Sequence, residues 1–206
     1  MSLELLIGPM FAGKSSAIQS IIRRHQALGW SVFVITHSMD TRYTSEPMIV
    51  NHDKQMLPAV ATAALMPMLS HPSYSGSRLI VVEEAQFFPD LIPFIQAVVD
   101  KDRKHAVVVG LDGDAERRPF GRVLDLIPLA DRVTKLTAMC KKCRDGTPAI
   151  FTFAHTNVSE ASAIAGLPCV GGGEDYVPLC RRHYLEGKNP AILSAPAFNP
   201  FEHYAC

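Results

Sequence analysis

Apolar, β-branched residues occur along this chain in short runs separated by polar stretches. The runs Leu3 to Ile7, Val32 to Thr36, Leu79 to Val82, Ala106 to Val109 and Val133 to Leu136 read as strands buried on both faces. Between the first two, Ala17, Ile18, Ile21, Ile22 and Leu28 recur at helical spacing. Arg23, Arg24 and His25 follow near the end of that segment, and Gly29 supplies a stop. The spacing of Phe94, Ile95, Val98 and Val99 predicts a second helix over 89–99. Strands alternating with helices imply an α/β fold with a mostly parallel sheet flanked by helices. Ligands of such sheets bind beyond the carboxyl ends of the strands, so the loops after the strands are where chemistry is expected.

The first such loop reads Gly8-Pro9-Met10-Phe11-Ala12-Gly13-Lys14-Ser15 and meets the phosphate-loop pattern at every fixed position. It follows a strand and opens a helix, the context that the mechanism requires. Glycines let backbone N–H groups turn towards phosphate oxygens, and the helix N-terminus adds partial positive charge. Lys14 would reach the β- and γ-phosphates, and the Ser15 hydroxyl would coordinate Mg²⁺. A random chain of this length and ordinary composition shows the pattern about one time in a hundred, before a flanking strand and helix are required. A chance glycine-rich turn is therefore set aside.

The strand Leu79 to Val82 runs into Glu83 and Glu84. Acids at strand ends in phosphate-loop enzymes help hold the metal, usually through water. A second acid is needed if the phosphate acceptor is an alcohol whose proton must be removed. Neighbours on a strand point to opposite faces, so the two acids have separate roles unless the strand has already ended. The bland alternative is a solvated acidic turn.

After about Leu136 the pattern changes. Cys140-Lys141-Lys142-Cys143 and Cys180-Arg181-Arg182-His183 form a CxxC and a CxxH. Together they offer the Cys₃His set of a tetrahedral zinc site. Four protein ligands leave no open position, so the zinc is expected to be structural. Cys169 lies outside both pairs and reads as a core residue. The expected division is a nucleotide-binding α/β domain over 1–138, a small zinc domain over 139–188 and an irregular tail over 189–206.

Twenty basic and twenty acidic side chains cancel, and no basic stripe suggests a nucleic-acid partner. Leu3 to Ile7 is too short to span a bilayer and lacks the basic region of a signal peptide. The expectation is a cytoplasmic protein without a membrane partner, in which thiols stay reduced.

Taken in order, the phosphate loop, Asp40-Thr41-Arg42-Tyr43, Glu83-Glu84-Ala85-Gln86-Phe87-Phe88, Gly110-Leu111-Asp112-Gly113 with Pro119-Phe120-Gly121, Lys135-Leu136-Thr137-Ala138 and the Cys140, Cys143, Cys180, His183 set resemble the thymidine kinases of the human cytosolic and bacterial type. The resemblance runs from Leu5 to about Tyr184. It implies transfer of the γ-phosphoryl group of ATP to the 5′-hydroxyl of thymidine, giving thymidine monophosphate for DNA precursor synthesis. It also implies Glu84 as general base and Glu83 in the place of an acid, usually Asp, that helps hold Mg²⁺. Asp40, Thr41, Arg42 and Gln86 join the phosphate loop and Glu83 as residues binding the nucleotide and its metal.

In this family a lasso loop rooted at the zinc closes over the nucleoside. Here it would include Thr152, Leu167, Cys169, Val170, Gly171 and Tyr176. By resemblance, Met10, Leu111, Thr152 and Tyr176 surround the thymine methyl, and Phe87 and Phe120 supply apolar walls. Homotetramers and feedback inhibition by thymidine triphosphate are further implications. The sequence departs from the family pattern in two places. Ala115 stands where an aromatic residue is usual, and Phe153 and Ala154 follow Thr152 where basic residues are common. A kinase for another pyrimidine nucleoside, and a zinc-ribbon binding protein with a degenerate nucleotide site, are the rival readings.

Overall fold

The computed structural model describes residues 1–39, 48–50, 56–155 and 175–188. Its centre is a six-stranded sheet. In chain order the strands and helices begin with β1 (Ser2–Ile7), α1 (Lys14–Ala27), β2 (Val32–His37), β3 (Met48–Val50), β4 (Met56–Pro58) and β5 (Val60–Thr62). Next come α2 (Pro72–Gly76), β6 (Leu79–Val82), α3 (Leu91–Gln96), β7 (His105–Gly110) and β8 (Arg132–Lys135). The sheet order is β5-β2-β6-β7-β1-β8, and every pairing in it is parallel. β3 and β4 pair antiparallel outside this sheet.

The five strands read from the sequence are all present, within a residue or two of their expected bounds. In β1, β2, β6 and β7 the consecutive apolar residues have a physical reason: both faces are covered. β8 instead lies at the sheet edge with Val133 exposed, against the expectation of burial. Leu5, Ile35, Ile80 and Val108 point to one core with α3, while Leu6, Val34, Val81 and Val107 point to another with Ile18, Ile21 and Ile22 of α1. The sixth strand, β5, was not expected.

α1 begins on Gly13, whose φ is 77° and which has no side chain to cap the first turn. Arg24 and His25 lie in its last turn, where positive charge opposes the helix dipole. It ends where Gly29, at φ 74°, donates its N–H to the Gln26 carbonyl. The helix expected over 89–99 is α-helical only from Leu91 to Gln96 and widens into a π turn over Ala97–Lys101. Its carboxylate Asp90 turns away from the helix to accept from the amides of Leu65 and Met66, both at 2.8 Å.

Beyond the sheet, β9 (Ala138–Met139) pairs with β10 (Pro148–Ala149), and β11 (Phe151–Ala154) pairs with β12 (Tyr176–Leu179). The helix α4 (Arg181–Lys188) follows directly. These elements share a third small core around Ala149, Leu179 and Tyr184, against which Phe11 and Ala12 of the phosphate loop also pack. Among the described residues no helix is long and apolar enough to cross a membrane.

Candidate active site and metal centre

The loop after β1 is shaped by close approach. A Cβ on Gly8, whose φ is 150°, would stand 2.4 Å from the Leu136 carbonyl oxygen. The Leu136 N–H in turn donates to Ile7 O at 2.8 Å, so the ends of β1 and β8 are locked together and only glycine fits. Lys14 curls across the loop, its ammonium donating to the carbonyls of Gly8 at 3.2 Å and Pro9 at 2.7 Å. The Met10 N–H donates to the Thr152 hydroxyl at 3.0 Å, tying the phosphate loop to β11.

β6 ends at Val82, and Glu83 is buried at 7% exposure. Its N–H continues the sheet to Ile35 O at 2.9 Å, while its carboxylate accepts from the Ser15 hydroxyl at 3.0 Å. Glu84 then adopts the left-handed conformation, with φ 52° and ψ 40°. The strand has thus ended before both acids, and they take different partners. Glu84 accepts from the Gln86 amide at 2.5 Å. The Ser15 and Glu83 oxygens beside the phosphate loop fit a magnesium site. Thr36, on the same face of the sheet by strand alternation, adds a buried hydroxyl with no partner among the described residues.

The apolar walls converge from three loops. Phe87 meets Phe120 edge to face at 5.5 Å, and His37 packs against both Phe87 and Phe88. Leu111 donates its N–H to Gln86 Oε1 at 3.1 Å. Thr152 is buried, and Tyr176 lies opposite Ala154 in the β11–β12 pair. Asp40, Thr41, Arg42, Leu167, Cys169, Val170 and Gly171 lie outside the described residues.

The segment carrying Ala115 is a tight turn. Asp114 accepts from the amides of Glu116 at 2.8 Å and Arg118 at 2.9 Å. The Tyr184 hydroxyl donates to the Ala115 carbonyl at 2.7 Å, the Arg117 guanidinium lies 4.7 Å over the Tyr184 ring, and Lys188 pairs with Glu116. The turn is therefore fastened to α4. No sequence signal marked this contact, nor the one between His37 and Phe87, since each joins distant segments through ordinary residue types.

Cys140, Cys143, Cys180 and His183 come together with their ligand atoms all within 4.8 Å of one another. His183 Nδ1 lies 3.4, 3.2 and 3.5 Å from the sulfurs of Cys140, Cys143 and Cys180, and the Cys143 and Cys180 sulfurs are 3.8 Å apart. Zinc–ligand bonds of ordinary length in a tetrahedron would place sulfurs about 3.8 Å apart and sulfur from nitrogen by about 3.6 Å. The set fits zinc. Burial pushes the Cys140 thiol up, but backbone groups of Cys180, Cys143 and Lys142 and the His183 ring outweigh it and bring it down to about 6. Cys143 is pushed up, by burial first and then by the neighbouring thiols.

Fold and site together define a phosphate-loop nucleotide-binding protein of the parallel α/β class, with paired acids after an inner strand and a Cys₃His appendage. The chain belongs to the thymidine kinase family, whose model matches residues 1–184. It is 40% identical over 190 residues to a thymidine kinase of Oryza sativa subsp. japonica, covering 90% of this chain and 67% of that protein. It is also 40% identical over 187 residues to thymidine kinase a of Arabidopsis thaliana, covering 89% of this chain and 75% of that protein. Against the cytosolic thymidine kinase of Homo sapiens it is 34% identical over 184 residues, covering 89% and 73%.

Proposed function

We propose that Glu84 is the general base of an ATP-dependent thymidine kinase, removing the 5′-hydroxyl proton of thymidine as the γ-phosphoryl group is transferred. Family membership supplies the overall reaction and its substrates, thymidine and ATP. The residue roles follow from the division of the two acids. Glu83 is bonded to the Ser15 hydroxyl beside the phosphate loop, while Glu84 has already left the strand and is bonded to Gln86.

In this reading the backbone of Gly8 to Ser15 cradles the triphosphate, and Lys14 exchanges its two loop carbonyls for phosphate oxygens. Ser15 and Glu83 would hold Mg²⁺. When bound, that ion neutralises charge developing on the β- and γ-phosphates. Glu84 accepts the 5′-hydroxyl proton, the thymidine oxygen bonds to the γ-phosphorus, and the bond from that phosphorus to the β-phosphate oxygen breaks, releasing ADP. Asp40, Thr41 and Arg42 belong to the phosphate side of the site. Met10, Leu111, Thr152 and Tyr176, with Phe87, Phe120 and the loop residues Leu167, Cys169, Val170 and Gly171, surround the base.

Residues 139–188 form the module that covers the nucleoside, built on a structural zinc at Cys140, Cys143, Cys180 and His183. Residues 1–138 bind the nucleotide, and 189–206 form the tail. Ala115 alters the wall around the base and makes the site weaker or broader in nucleoside choice, whereas Phe153 packs on Tyr184 of α4. A cytoplasmic location, a homotetramer and feedback inhibition by thymidine triphosphate complete the reading, and each rests on family resemblance.

A radiolabelled nucleoside panel with ATP and Mg²⁺ tests the substrate. Thymidine is expected to turn over fastest, and faster deoxycytidine phosphorylation overturns the assignment. Glu84→Gln is expected to lower kcat by about 10²- to 10⁴-fold, the usual contribution of a general base. An unchanged rate removes Glu84 from that role.

A further inference from the structure

We propose that Gln86, which the family resemblance implied as a nucleotide-binding residue, is instead a positioning residue for Glu84, its side-chain amide holding the carboxylate in the orientation that receives the proton. The proposal rests on the reading of Glu84 as base. The two contacts of the amide determine which way round it lies. The Leu111 N–H can only donate, so the oxygen faces it at 3.1 Å, and the NH₂ must face Glu84 Oε2, 2.5 Å away. The residue is 4% exposed, so neither group has bulk water as an alternative partner.

Two glycines approach this residue closely. A Cβ on Gly110 would stand 2.8 Å from Gln86 Oε1. A Cβ on Gly121, at φ 58°, would stand 2.1 Å from the Gln86 carbonyl oxygen. Gly110 at the end of β7 thus leaves room for the Gln86 side chain, and Gly121 leaves room for its backbone. Glu84 itself sits in the left-handed region, where a residue with a side chain is strained unless its surroundings hold it there. Because the same amide also receives Leu111 N–H, the base and the loop after β7 are joined through one buried group. Displacement of the carboxylate by about an ångström is enough to lose much of a positioned base's effect.

The test compares Gln86→Met, which removes both partners, with Gln86→Glu, which keeps an acceptor for Leu111 but offers Glu84 no amide donor. Each is measured for kcat and thymidine KM, for dissociation of a fluorescent ATP analogue, and for unfolding temperature. Both variants are expected to lose about 10- to 100-fold in kcat, with KM and ATP analogue affinity changed less than about threefold. In a Glu84→Ala background, Gln86→Met is expected to cause no further loss, because a residue that acts through Glu84 has nothing left to act on.

Wild-type kcat in Gln86→Glu overturns the proposal, since acceptance from Leu111 would then be the whole role. A further loss on adding Gln86→Met to Glu84→Ala overturns it as well. An undiminished rate in Glu84→Ala alone overturns the base assignment, and the proposal falls with it. Should Gln86→Met fail to fold, the isosteric Gln86→Glu variant carries the same comparison in both backgrounds.

Discussion

The Ser15 hydroxyl donates to Glu83 Oε1 across 3.0 Å, although the strands that deliver the two residues do not touch. β7 lies between β1, which leads into the phosphate loop, and β6, which ends before Glu83. The long side chain of Glu83 and the position of Ser15 in the first turn of α1 bridge that gap.

This pairing predicts a metal phenotype. Glu83→Gln keeps the size of the side chain but removes its charge. Contacts to a charged group are worth about 1.5–3 kcal/mol, so the Mg²⁺ concentration for half-maximal rate is expected to rise about tenfold or more. Glu83→Asp is expected to retain much of the wild-type Mg²⁺ dependence. A magnesium titration identical in Glu83→Gln and wild type would take Glu83 out of the metal site.

The Cys₃His set predicts one zinc per chain by elemental analysis. Its small core holds only short strands and one helix, too little apolar area to stand alone. Structural zinc contributes about 10 kcal/mol or more in apparent binding energy at neutral pH. Chelation or Cys143→Ser is therefore expected to lower the unfolding temperature and abolish activity together. A fully active preparation with less than one zinc per chain would contradict the site.

Acid sensitivity follows from His37 and His105. Burial holds His37 below its ordinary 6.5, outweighing the Ala63 backbone and the Glu84 and Asp90 carboxylates. Burial also lowers His105, helped by the N-terminal ammonium, Arg78 and His25. Both folded-state values lie below the unfolded one, so the neutral rings stabilise the fold fully above pH 6.5 and lose that contribution as pH falls through 6.5 towards the folded values. Urea midpoints are expected to fall over that window, and His37→Gln is expected to flatten part of the slope. An equally steep decline in the variant would exclude His37.

Glycine substitutions separate crowding from backbone strain. Gly8→Ala places a Cβ 2.4 Å from Leu136 O and is expected to cost about 2–4 kcal/mol and to impair ATP binding. Gly29→Ala, at φ 74° with nothing within 4 Å, is expected to cost only about 1–2 kcal/mol. Denaturant titrations of the two variants check the difference, and equal losses would refute the crowding at Gly8.

Several elements were legible because their signals are local. The phosphate loop, the apolar strands and α1 each carry their pattern within a few neighbouring residues. β5 was not legible, because three residues at a sheet edge carry too little periodicity to stand out. α4 was missed for a related reason: Tyr184 is its buried residue, and most of its surface is charged.

The amino-acid order alone determined which chemical groups were available: a phosphate-binding loop, two adjacent acids and two spaced ligand pairs. Only the folded chain decided which of them meet, placing Ser15 on Glu83, Met10 on Thr152, Gln86 between Glu84 and Leu111, and Tyr184 on Ala115. The physical reason is that such contacts depend on strand order and on close approach between loops distant in the chain. Those are set by how two buried cores pack around one sheet, and no short window of residues encodes them.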